Sequence, residues 1–98
     1  MKDVGCYILW SDNIKKFYVG VCHENLNQRI IAHNQHVYGK KSYSSITKDW
    51  ALFLFIKTED FSHAVRVERK IKSMKSKIFI QNLLKYPELI SKILAETK

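Results

Sequence analysis

A single proline and three glycines in 98 residues leave little room for linkers, low-complexity tracts or collagen-like repeats. The two cysteines, Cys6 and Cys22, are too far apart for a CxxC motif. With no second pair, they exclude a zinc ribbon and a disulfide scaffold. No apolar run approaches the ~20 residues needed to span a bilayer, and Met1-Lys2-Asp3 opens no signal peptide. Acids are scarce too: nine Asp plus Glu stand against 17 Lys plus Arg, for a formal charge of +8. In so short a chain this excess points to a polyanionic partner, nucleic acid before anionic membrane, with solubility alone as the plain alternative. The expectations are one domain over residues 1–98, a cytoplasmic location, and two buried free thiols in a reducing cell.

What the chain does contain is concentrated between Gly5 and His33. An apolar run, Gly5-Cys6-Tyr7-Ile8-Leu9-Trp10, is followed by the polar break Ser11-Asp12-Asn13-Ile14-Lys15-Lys16 and a second run, Phe17-Tyr18-Val19-Gly20-Val21-Cys22. Aromatic and β-branched runs around an Asp-Asn turn predict a β-hairpin. Alternation along a strand turns Cys6, Ile8 and Trp10 one way and Tyr7 and Leu9 the other. If Phe17, Val19 and Val21 share the first side, Tyr7 and Tyr18 emerge together on the second, and Cys6 and Cys22 face apart. Gly20 beside the tyrosines leaves room for a ligand or another backbone. A helical pattern follows, with Leu26, Ile30 and Val37 on one face and Arg29 and His33, four apart, on its edge.

The second half supplies a carboxylate. Residues 38–49 read as a polar, basic loop, and Trp50–Ile56 as a strand covered on both faces. Asp60 or Ser62 caps the next helix, whose buried face is Ala64, Val67, Ile71 and Met74. Arg66, Arg69 and Lys70 point to solvent. Glu68 projects from the margin of the buried arc, so it must find an arginine, other donors or a cation, or be protonated. The plain reading is a salt bridge to Arg29 or a nearby lysine. A break at Ser73–Lys77 precedes the apolar helix Ile78–Leu84, and Pro87 opens a last helix carrying Leu89, Ile90, Ile93 and Leu94. Two phenols, an arginine, a histidine and one acid form the equipment of metal-assisted phosphodiester chemistry.

Taken in order, Gly5-Cys6-Tyr7, Tyr18-Val19-Gly20, Arg29, His33 and helical Glu68 resemble the GIY-YIG nuclease superfamily. In particular they resemble its small stand-alone members, which are similar to the N-terminal nuclease module of a bacterial excision-repair nuclease. The resemblance covers about residues 4–84. It implies a small α/β domain, a three-stranded, mostly antiparallel sheet flanked by helices in the order ββαβα plus C-terminal helices. It also implies a metal-dependent endonuclease acting on DNA, in repair or processing.

On that resemblance Glu68 matches the metal-binding glutamate, Arg29 the arginine on the scissile phosphate, and Tyr7 and Tyr18 the tyrosines that orient or deprotonate the attacking water. His33 stands where relatives carry Tyr or His and suits a base or proton shuttle. A single carboxylate suits Mg²⁺, with Mn²⁺ as substitute, better than zinc; no small-molecule cofactor is implied. Nucleic-acid contacts are expected from Gly20, Arg29, Lys15, Lys16, Lys40, Lys41, Lys75 and Lys77. Val21 replaces the catalytic lysine of the repair relatives, leaving Lys15, Lys16 or His33 as substitutes, and Asn82 corresponds loosely to a late asparagine. With no appended DNA-reading domain, cleavage would be structure-selective or directed by a protein partner. The alternative is a non-catalytic nucleic-acid-binding module that retains the fold.

Overall fold

A computed structural model describes residues 2–35 and 46–98 of the chain. The hairpin forms as β1 (Gly5–Ser11) and β2 (Lys16–Cys22). There follow α1 (Leu26–Asn34), β3 (Ala51–Lys57), α2 (Phe61–Met74), α3 (Lys77–Lys85) and α4 (Pro87–Glu96). The sheet order is β2-β1-β3, antiparallel at both pairings, which is the expected α/β arrangement. Lys40 and Lys41, with His36, Val37 and most of the expected 38–49 loop, lie outside the described residues.

The parity of the hairpin is as the sequence requires. Tyr7 pairs with Gly20, Leu9 with Tyr18, Ile8 with Val19 and Cys6 with Val21. One face therefore carries Cys6, Ile8 and Val19 into a core closed by Val67 and Ile71 of α2, Ile80 and Leu83 of α3, and Ile93 of α4. The other carries Tyr7, Leu9 and Cys22 into a smaller core with Leu26 of α1 and Trp50. Both cysteines are free and buried, one in each core. Burial pushes the Cys6 thiol up to about 12, with the nearby Glu68 charge adding to the effect and Lys72 opposing it, so this is an inert core thiol.

The strand buried on both sides is β1, not the Trp50–Ile56 run. β1 has a partner on each side and a core on each face, whereas β3 is at the edge, with Leu52 46% exposed. Trp50 itself precedes β3 and is buried. A register shift between Ile8 and Leu9 inserts one extra β3 residue; at this bulge Phe53 and Leu54 both reach the Cys6–Ile8 core. Phe53 meets Phe17 there edge-on, at 4.9 Å between ring centroids.

Side-chain oxygens start the first three helices. Asn25 accepts from Gln28 N–H at 3.0 Å, Asp60 from His63 N–H at 2.8 Å and Ser76 from Phe79 N–H at 3.1 Å. Asp60, rather than Ser62, is thus the cap of α2. Met74, expected on the buried face, is instead exposed because α2 ends there. The next residue, Lys75, takes a left-handed backbone with φ 48°, as does Lys15 with φ 54° at the end of the hairpin turn. Lys70 points outwards with its side chain 42% exposed, and its ammonium lies 3.6 Å from Glu96.

Asp49 ties the hairpin turn to the segment that enters β3. Its carboxylate accepts from the Ser11 hydroxyl, the Thr47 hydroxyl at 2.6 Å and Asn13 N–H at 3.0 Å. The Ser11 and Thr47 hydroxyls hold this carboxyl down to about 2. A depressed carboxyl adds stability that is complete above the ordinary carboxylate range and is lost as pH falls through its folded value. Asp49→Ala is therefore expected to lower the urea midpoint at pH 6, and to make a shrinking difference as the titration is repeated down towards pH 2.

Candidate active site

Gly20 is where two strands, a helix and four side chains become one site. A methyl group built at Gly20 would lie 2.6 Å from both Cζ and Oη of Tyr7 and 3.1 Å from Cε2 of Tyr18. The absence of a side chain here lets the fully buried Tyr7 phenol lie across β2. The space predicted for a ligand is thus taken by the protein's own tyrosine, and Gly20 acts by shaping the pocket.

α1 brings its edge residues to that phenol. His33 Nε2 lies 2.6 Å from Tyr7 Oη, and Arg29 Nε donates to the same oxygen at 3.4 Å. Burial, and then the Arg29 charge, push the His33 imidazole down to about 4, so it is neutral at physiological pH. In the arrangement this favours, the Tyr7 O–H donates to Nε2 and the ring proton resides on Nδ1. Charge growing on the Tyr7 oxygen would find a guanidinium N–H already aimed at it. Tyr18, half-buried on the edge strand, sets its ring tilted against His33 at 4.8 Å between centroids and stands 6.3 Å from Tyr7. The structure therefore brings together Tyr7, Tyr18, Arg29 and His33.

Two residues that sequence reasoning did not single out hold this group in place. Trp50 packs 5.9 Å from the Tyr18 ring. Its backbone is gripped at both polar atoms by Asn34, whose Oδ1 accepts from Trp50 N–H at 2.7 Å and whose Nδ2 donates to Trp50 carbonyl at 2.9 Å. Asn34 follows His33 directly at the end of α1, so this grip fixes the imidazole's helix against the entry to β3. The only sequence signal was an amide at a helix end.

Glu68 is carried elsewhere. The reading that seated the acid and the guanidinium in one pocket meets a parity constraint: α1 covers the Tyr7 face, and α2 the Cys6 face. The Glu68 side chain, 19% exposed, pairs with Lys72 Nζ at 3.5 Å, one turn along the same helix. This is the plain alternative, a nearby lysine rather than Arg29. Val21, opposite Cys6, turns to the α2 face as well. The two sides approach each other round the edge strand, where a cavity of about 280 Å³ is lined by Phe17, Tyr18, Val19 and Lys72. Among the described residues no three His, Cys, Asp or Glu side chains form a group able to hold a metal ion. A lone carboxylate such as that of Glu68 has the hard-oxygen chemistry that a largely hydrated cation accepts.

Two measurements check this geometry. In an NMR titration the His33 imidazole is expected to stay neutral to about pH 4, and Arg29→Gln should raise its midpoint while leaving it below 6.5, since burial is the larger cause. Because the folded value lies below the unfolded one, stability should be complete above pH 6.5 and fall as pH drops towards 4. Gly20→Ala should cost about 1–3 kcal/mol of stability by overpacking against a buried ring, read from urea unfolding, and should shift the His33 midpoint by displacing the phenol.

No curated protein and no solved structure matches the chain. The model of one family, the GIY-YIG catalytic domain, matches residues 3–82, a span that holds β1 to α2, most of α3 and all the residues of the site. With the antiparallel sheet and the two tyrosines meeting across Gly20, the match identifies this chain as a member of the GIY-YIG family, a nuclease-type, DNA-cleaving domain.

Proposed function

We propose that the chain, acting as a single domain, is a metal-dependent endonuclease that hydrolyses DNA phosphodiesters. The observation that carries this reading is the Tyr7–His33–Arg29 hydrogen-bonded group, a neutral base and a fixed cation sharing one phenol oxygen. Arg29 holds a phosphoryl oxygen, for which its planar fork suits it better than a lysine. Tyr18, the more accessible phenol, orients the attacking water. Tyr7, fully buried between His33 and Arg29, holds the guanidinium in place for the phosphate.

Glu68 is the residue that would hold Mg²⁺ or Mn²⁺, which when bound supplies Lewis-acid stabilisation of the phosphoryl and leaving oxygens. Lys72 then has to yield its carboxylate contact. Structure-selective or partner-recruited cleavage in DNA repair or processing is the role that a small basic domain gripping backbone phosphates would fill. The two buried free thiols support a reducing, cytoplasmic setting, and no described helix is long and apolar enough to cross a membrane. A second reading, a binding module that keeps the fold without turnover, draws on the Glu68–Lys72 pair and on Val21 at the lysine position.

Nicking of a supercoiled plasmid separates the two. Cleavage is expected with Mg²⁺ or Mn²⁺, abolished by EDTA and reduced at least ~100-fold in a folded Glu68→Gln variant; binding without metal-dependent nicking would establish the second reading. Arg29→Ala should lower kcat by about 10²–10³ but DNA affinity by less than about tenfold, since one phosphate contact is a small share of a salt-sensitive footprint.

A further inference from the structure

A second cavity, of about 290 Å³, opens beyond the same edge strand and is lined by Lys16 at the start of β2, Lys72 near the end of α2, and Lys75, Ser76 and Lys77 at the α2–α3 junction. Four lysines from two separate segments, the start of β2 and the stretch from Lys72 to Lys77, converge on it, and its lining includes no acid. Lys77 Nζ donates to the Lys15 carbonyl at 2.7 Å, which fastens the α3 start to the hairpin turn and keeps the cavity's two walls together. Ser76 caps α3 here, so the positive end of that helix faces the same space. Lys72, with Phe17 and Val19, also lines the smaller cavity that reaches Tyr18. The two cavities are therefore neighbours that share Phe17, Val19 and Lys72 as walls beside β2. Sequence reasoning named Lys16, Lys75 and Lys77 separately; it did not find Lys72 or the cavity that joins them.

We propose that this cavity is a backbone-phosphate subsite for the nucleic-acid strand that is cut, taking a phosphate that flanks the scissile one. The substrate strand then runs round the edge of β2, from Tyr18 past Lys72 to Lys75 and Lys77. Lysine ammoniums are flexible point charges without a fixed fork, suited to holding a backbone without reading bases. Such contacts strengthen binding for every sequence alike, through counterion release. Lys72 also links the subsite to Glu68: a phosphate that draws its ammonium away releases the carboxylate at the moment substrate arrives. The proposal rests on the nuclease reading for its direction of travel, while its binding test is independent of turnover.

The test is fluorescence anisotropy of the full chain with a labelled DNA duplex in EDTA, titrated across KCl concentrations. K75Q/K77Q is expected to weaken binding at least ~tenfold at moderate salt. It should also reduce the slope of log K against log salt by about 1, at roughly 0.9 for the one lost phosphate contact. K57Q/K98Q, an equal charge change at the distant cavity between β3 and α4, should alter affinity less than about twofold. Should K75Q/K77Q fail to fold, K16Q alone is expected to lower the slope by about 1. Equal losses in both lysine pairs, or an unchanged slope in K75Q/K77Q and K16Q, would overturn the subsite. Nicking assays keep the two ideas apart. Intact cleavage with equal binding losses defeats the subsite alone, and a selective binding loss without any metal-dependent nicking defeats the nuclease reading alone.

Discussion

The contact on which the molecule turns is the Tyr7 phenol, buried across Gly20 and held between His33 and Arg29. It ties the central strand to α1, and it exists only because the facing strand lacks a Cβ. It also decides the chemistry of its neighbours. Burial, and then the Arg29 guanidinium, keep the imidazole beside that hydroxyl unprotonated where a surface histidine would titrate near physiological pH. The same burial that stabilises the second core thus fixes the imidazole in its neutral form.

A strand has two faces, and this domain uses both. The Tyr7 face holds the Tyr7–His33–Arg29 hydrogen-bonded group, while the Cys6 face, under α2, carries Glu68. The arrangement separates a neutral imidazole from a carboxylate that would otherwise raise its proton affinity. It makes the edge of β2 the meeting place of the two halves, since Tyr18 and Lys72 border one cavity there. An extended polyanion laid along that edge can touch both faces at once, which a compact ligand on either face could not do.

Much of this was legible from the residues. The hairpin, the convergence of the two tyrosines and the separation of the two thiols follow from period-two alternation, because a one-residue slip would move a strand's whole side-chain set to the opposite core. Arg29 and His33 were found by the spacing of one helical turn. Other features were out of reach because they depend on tertiary packing. Alternation puts Gly20 on the tyrosine face without saying that Tyr7's own ring fills the space. Helical phase places Glu68 at the margin of a buried arc, but which sheet face that arc meets is decided by how α2 crosses over. Trp50 reads as the first residue of a strand; only the Asn34 grip reveals it as a wall of the site.

Two of the lysines have an unusual backbone. Lys15 and Lys75 hold left-handed conformations, at φ 54° and 48°, where glycine would be at ease and an L-residue is strained by roughly 1 kcal/mol. One closes the hairpin whose carbonyl anchors Lys77, and the other lines the basic cavity. Relieving the strain with glycine would remove positive charge from the edge of β2. Along this border, thermal robustness and grip on a polyanion are therefore opposed quantities, and selection for one would be visible as erosion of the other.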